Sequence, residues 1–203
     1  MPSLFLSVLG SIIAFFAASS YLRSIIKGET RPHRITWGGW TLVGVLGLWA
    51  SYDGGAKIGL LVAAVFAVLV AITFAFSLLP KYGKPGGERT DYFVGALAAA
   101  GIVAWRVIHF SPAIAATIAV FADAVFLWFT LRETWRQPET EALRPWVLGS
   151  VAEALGLIAL GNYSYAAAAY PVYILIGNIA VVAVLLVRKQ PLAKRFVRAK
   201  KAS

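Results

Sequence analysis

The sequence predicts an all-helical integral membrane protein of seven transmembrane helices, and three observations predict it. The first is composition. Of 203 residues, 60% are hydrophobic and only 14% charged, with a mean hydropathy of +0.75. A soluble domain carries about 45–50% apolar and about 25% charged residues. The second is a series of apolar segments separated by turn chemistry, and the third is the sorting of lysine and arginine to one side of those segments. High apolar content excludes disorder, and the absence of cysteine excludes a disulfide scaffold and thiol chemistry.

A span needs about 20 mostly apolar residues, because a helix rises about 1.5 Å per residue through a hydrocarbon core of about 30 Å. The first segment, Ser3–Tyr21, ends in small residues that resemble a signal-peptide cleavage site. Met1-Pro2-Ser3 supplies no positive leader and a basic loop follows, so a retained helix is expected. The second, Thr36–Tyr52, is short and ends at Asp53-Gly54-Gly55. The third, Ala56–Leu79, precedes Lys84-Pro85-Gly86-Gly87, and the fourth is Tyr92–His109. The fifth, Pro112–Leu131, opens on Ser111-Pro112 and is followed by Gln137-Pro138. The sixth, Pro145–Gly161, is again short, and Asn162-Tyr163-Ser164 leads into the seventh, Ser164–Val187, which Pro171 either starts or kinks.

Nineteen Lys and Arg against nine Asp and Glu give a formal charge of +10. On a soluble chain that excess would suggest nucleic acid; here it sets topology, and no nucleic-acid partner is expected. Seventeen of the cations fall on one face, in the loops around Arg23–Arg34, Lys81–Arg89 and Arg132–Arg144 and in the tail from Arg188. Only Lys57 and Arg106 fall on the other. The N-terminus is therefore expected outside and the C-terminus in the cytoplasm. The basic tail beside the last span suits anionic lipid headgroups.

The chain also repeats itself. Shifted by 109 residues, Tyr21–Ser51 lies over Thr130–Leu160 without a gap, matching Leu22/Leu131, Arg23/Arg132, Trp37/Trp146, Leu46/Leu155, Gly47/Gly156, Leu48/Leu157 and Ala50/Ala159. Three helices and one linker make an even number, so the second triple re-enters the membrane in the same orientation as the first. The expected organisation is a first three-helix repeat over 1–79, a loop and linker helix over 80–110, a second repeat over 111–187 and a basic cytoplasmic tail over 188–203.

This parallel 3+1+3 plan resembles the SWEET sugar transporters and the wider PQ-loop group. The local resemblance lies in Tyr21-Leu22-Arg23 through Lys27-Gly28, then Thr36-Trp37 and Trp40, with a second copy in Thr130-Leu131-Arg132, Arg136, Pro138-Glu139-Thr140-Glu141 and Trp146. It is also similar to bacterial membrane proteins with a Lys-Gly-x-Thr-x-Pro-His-Arg-x-Thr-Trp signature, which implies a bacterial inner membrane. Where a Pro-Gln pair would stand, this chain has Ser19-Ser20 and Trp128-Phe129. Hinge prolines inside the early helices are missing as well.

Polar groups at bilayer depth are the candidate functional residues. Asp123 lies about 16 Å into its span, and Glu153 and Asn178 lie about 12 and 13 Å from the cytoplasmic end of theirs. Three polar side chains from the fifth, sixth and seventh segments thus reach one depth. Glu153 shares a face with Gly149, Ser150, Gly156 and Leu157; the matching face of the second segment carries Trp40, Thr41, Gly44, Gly47 and Leu48. Asp123, Glu153, Asn178, Tyr173 and Trp40 are the expected substrate-binding residues, with Glu153 and Asp123 also expected to carry proton coupling. Carboxyls hydrogen-bonded between helices as packing glue are the competing possibility.

Most other aromatic residues are expected in two interfacial belts: Trp49, Tyr52, Tyr163, Tyr165 and Tyr170 outside, Trp37, Trp128, Trp135 and Trp146 inside. His33 and His109 are far apart and show no metal-ligand spacing. No nucleotide-binding glycine fingerprint and no nucleophile–base pair appear, so neither a cofactor nor an enzyme is expected. The expected function is transport of a small polar solute, sugar-like or amino-acid-like, by alternating access. The alternative is a non-transporting receptor or assembly protein of the same fold.

Overall fold

A computed structural model describes residues 2–84, 89, 92, 93, 96, 100 and 111–202. Among the described residues the chain is all-helical: α1 (Pro2–Ile26), α2 (Arg34–Asp53), α3 (Leu60–Leu78), α4 (Pro112–Arg136), a 3-10 turn (Pro138–Thr140), α5 (Leu143–Ile158) and α6 (Tyr165–Ala202). Among the described residues four stretches are long and apolar enough to cross a membrane: Ser3–Ile26, Leu60–Leu78, Pro112–Arg136 and Tyr165–Lys189. The expected count of seven is thus met only in part. The second segment forms α2, long enough at 20 residues but diluted by Gly, Trp, Thr and Ser. The sixth forms α5, whose 16 residues rise only about 24 Å. The fourth, Tyr92–His109, lies almost wholly outside the described residues.

Local chemistry explains most helix ends. Ser111 caps α4, its Oγ accepting from the Ile114 amide at 3.5 Å, with Pro112 in the first turn where no amide donor is needed. Gly55 and Gly161 adopt φ of +93° and +75°, which turns the chain sharply after α2 and α5. The two turns are tied together, since Asn162 Nδ2 and Ser164 Oγ both donate to the Gly54 carbonyl, at 2.9 and 3.2 Å. Pro171 lies inside α6 rather than at its start, so the Ala167 carbonyl has no amide four residues on. α6 also continues through the basic stretch to Ala202, where a separate tail was expected from residue 188.

The helices of the first 80 residues interleave with those after residue 111. α1 packs on α5 and α3, α4 on α2 and α6, α2 also on α3 and α6, and α5 also on α6 and α3. Lipid tails are as apolar as leucine, so helices in a membrane associate through close packing and small residues rather than through the hydrophobic effect. Gly39 lies against the Phe126 ring, Gly47 against Tyr170, and Gly10 and Gly156 against Val62. Val43, Ala119, Ala122, Phe126, Phe129 and Tyr170 form the largest buried cluster beside these contacts. The outer surface is apolar: Phe5, Phe121 and Val68 are 67%, 72% and 60% exposed, as suits side chains facing lipid.

The two ends of the bundle differ in charge. At one end the loops after α1, α3 and α4 meet. The Lys84 amide donates to the Pro32 carbonyl (3.0 Å), Lys84 Nζ pairs with Glu133, and Arg34 Nε donates to the Ser77 carbonyl (2.7 Å). Lys27, Arg31 and Lys81 belong to the same loops, and Arg136 and Arg144 to the adjoining ends of α4 and α5. Lys57 belongs to the opposite end, where the Asp53–Gly59 turn packs against Leu160, Asn162 and Ala166.

Candidate functional site

A cavity of about 150 Å³ lies within the bundle, lined from every one of α1–α6. Its wall includes Trp40, Asp123, Glu153, Tyr173 and Asn178, the five residues singled out from the sequence, which come from α2, α4, α5 and α6. The space is ample for water, which needs only about 10–15 Å³ of such volume per molecule.

The two carboxyls sit in unlike surroundings. Asp123 is 2% exposed and fully engaged: Oδ1 accepts from Trp40 Nε1 at 3.1 Å and Oδ2 from the Tyr170 hydroxyl at 2.9 Å. These bonds tie α2 and α6 to α4. The Tyr173 hydroxyl lies near the same carboxylate without closing a hydrogen bond to it. Glu153 is 5% exposed and makes no hydrogen bond among the described residues. Asn178 packs over Gly149, one turn before Glu153, its Nδ2 3.5 Å from where a Gly149 Cβ would stand. Packing glue therefore describes the contacts of Asp123 but not those of Glu153, whose desolvation no hydrogen bond among the described residues offsets. Opposite them Gly44 has open space where a side chain would project.

Aromatic rings close the wall toward the basic end. Tyr21 and Trp37 have centroids 4.9 Å apart; Trp37 meets Trp40 edge-on at 5.3 Å, and Trp40 meets Trp146 at 5.9 Å. This corrects part of the belt assignment. Trp37 and Trp146 are each 9% exposed and Tyr170 8%, so all three face the interior. Trp49, Tyr52, Tyr163, Tyr165, Trp128 and Trp135 do lie on the surface.

Comparison with protein-family models, curated proteins and solved structures finds no match.

One carboxyl in this region is missing from the sequence-based set. Glu141 stands in the sequence only within the Pro138-Glu139-Thr140-Glu141 loop segment, and the 3-10 turn Pro138–Thr140 folds it inward. Its Oε1 accepts from the Tyr21 hydroxyl at 3.0 Å and its Oε2 from Trp146 Nε1 at 3.1 Å, while its carbonyl accepts from Lys189 Nζ. The only sequence signal was Trp146 five residues on, an indole donor that needs an acceptor when buried. Nothing in the sequence announces a partner 120 residues away.

Burial pushes the Glu141 carboxyl from its ordinary 4.5 up to about 7; the hydrogen bonds from Trp146 and Tyr21 and the charges of Lys84 and Lys189 oppose the shift. The folded protein thus holds this proton more tightly than the unfolded chain. Its contribution to stability is complete below the unfolded value of 4.5 and is lost as pH rises through about 7, on the order of 3 kcal/mol over that window. Glu141→Gln should therefore flatten the fall in melting temperature between pH 5 and pH 8. Identical pH slopes for wild type and variant would show that Glu141 does not titrate there. Among the described residues no group of three metal-ligating side chains forms; His33 Nδ1 lies 3.1 Å from Thr36 Oγ1, and His109 lies outside the described residues.

Proposed function

We propose that the chain is a carrier that moves a small polar solute by alternating access, linked to proton movement through Glu153 and Asp123. The observation that carries this is the interior cavity, where Glu153 stands without a hydrogen-bonding partner among the described residues. Ionisable side chains at bilayer depth mark solute and proton pathways when they face a cavity. A carboxyl free to exchange its proton with one side and then the other turns a pH gradient into solute movement. Asp123, held by Trp40 and Tyr170, supplies a fixed recognition point beside it.

The carrier is read as two parallel repeats, α1–α3 and α4–α6, joined by a linker helix within 80–110, in the manner of the SWEET/PQ-loop plan. Helix neighbours support this. Under the 109-residue shift, α1 on α5 answers to α4 on α2, α1 on α3 to α4 on α6, and α2 on α3 to α5 on α6. Gly47 and Gly156, 109 residues apart, each receive a side chain from the closing helix of the other triple: Tyr170 from α6 and Val62 from α3. Such an arrangement lets two halves rock about a midplane site. The basic end is assigned to the cytoplasm of a bacterial inner membrane and the N-terminus to the outside, with anionic lipid meeting the cations beyond Arg188.

Uptake of a panel of sugars, amino acids and amines into proteoliposomes tests the proposal, with and without a pH gradient. Glu153→Gln should abolish the response to the gradient while leaving exchange of the solute across the membrane. Unchanged pH dependence in that variant would remove Glu153 from coupling. Binding with no net movement would indicate a receptor instead.

A further inference from the structure

The acid–base side chains of the cavity wall include carboxyls and no cationic group among the described residues. Asp123 and Glu153 supply two carboxyls, and no Lys, Arg or His is among the described residues that line the space. Thr73 and Asn178 add neutral polar groups, and most of the remaining wall is aromatic or alkyl. Tyr21, Trp37, Trp40 and Trp146 form a continuous group whose rings meet at steep angles: 85° between Trp37 and Trp40, 67° between Trp40 and Trp146, and 83° between Tyr21 and Trp146. All four rings line the cavity, and ring faces left uncovered by these edge-to-face contacts carry a negative potential that attracts a cation. The Trp40 indole joins this group to the carboxylate through its bond to Asp123.

We infer that the cavity binds a small organic cation, an amine or quaternary ammonium, in preference to a sugar or an anion. The inference names the solute of the carrier proposed above and rests on that reading for its biological use. An anion would meet two carboxyls with no positive partner in the wall. A sugar needs hydrogen bonds around its whole rim, and most of this wall is ring and alkyl surface. Size points the same way. A cavity of about 150 Å³ accepts a ligand the size of benzene, so a solute of about six to eight non-hydrogen atoms fits it. A cation leaving one carboxylate as a proton binds to it would exchange like charge for like, which matches proton coupling through the same residues.

The test uses the full chain in lipid nanodiscs, with choline as probe and, beside it, its neutral isostere in which carbon replaces the quaternary nitrogen. The two differ in charge and hardly in shape. Choline should bind at least about tenfold tighter than the isostere, and glucose should not compete with it. Trp37→Leu should weaken choline binding by about tenfold and Trp37→Phe by clearly less, since phenylalanine keeps a ring face. Equal affinity for the two isosteres, or no choline binding at millimolar concentration, overturns the inference on the unaltered protein whatever the variants do. The two readings also fail separately. Choline bound but never moved across a bilayer removes the carrier and leaves this site standing. Glucose uptake that choline does not inhibit keeps the carrier and removes the cation.

Discussion

Gly44→Leu should leave the folded protein at least as stable as the wild type and reduce solute uptake to the background of empty liposomes. The two halves of this result come from one geometric fact. A Cβ at Gly44 meets no atom within 4 Å, because the residue lies inside α2 and faces the cavity. Leucine in place of glycine in a helix interior favours the helix by about 1 kcal/mol. The four carbons of its side chain would occupy most of a space of about 150 Å³ that holds a ligand of about six carbons. Gly47, on the same helix, is the opposite case, since a methyl group there would overlap the Tyr170 ring. Thermal unfolding of detergent-solubilised protein and uptake on the same preparation check the pair of outcomes. Full uptake by a folded Gly44→Leu protein would mean that the solute path does not use this cavity.

Asp123→Leu should cost stability as well as binding. Its removal leaves the Trp40 indole N–H and the Tyr170 hydroxyl buried without an acceptor, at about 1–3 kcal/mol each. The expected loss of about 2–6 kcal/mol is a large part of the roughly 5–15 kcal/mol that holds a domain together. Asp123→Asn keeps one carbonyl oxygen and should lose clearly less. The cause can be isolated with Tyr170→Phe. In an Asp123→Leu background that change removes an orphaned hydroxyl, so the double variant should be more stable than the sum of the singles. Strict additivity, or an Asp123→Leu protein as stable as the wild type, would show that this carboxylate is not the tie between α2, α4 and α6.

Much of the site was legible because helix geometry is periodic. A fixed rise per residue brings Asp123, Glu153 and Asn178 to one depth from their distances to the span ends, and all three line one cavity. The small-residue face around Glu153 likewise marked where that space lies, with Gly44 opposite. Aromatic residues were harder. Trp37, Trp146 and Tyr170 share an apolar body and a polar tip with the belt residues Trp128 and Tyr165, and only packing tells a ring facing lipid from one facing a cavity. Glu141 was hidden because loop residues have no period, and a short 3-10 turn sufficed to bury it. Prolines could be read only in part. Pro112 opens a helix as expected, whereas Pro171 and Pro191 lie inside α6, whose remaining backbone bonds carry the helix past them.

The measurement that tests alternating access most directly uses a property of the composition. The chain has no cysteine, so Gly44→Cys would carry a single thiol, in the wall of the cavity. A membrane-impermeant thiol reagent should label it when added to either side of oriented vesicles, and choline should slow both reactions. Labelling from one side only, or from neither, would contradict a carrier whose central site opens to the two sides in turn.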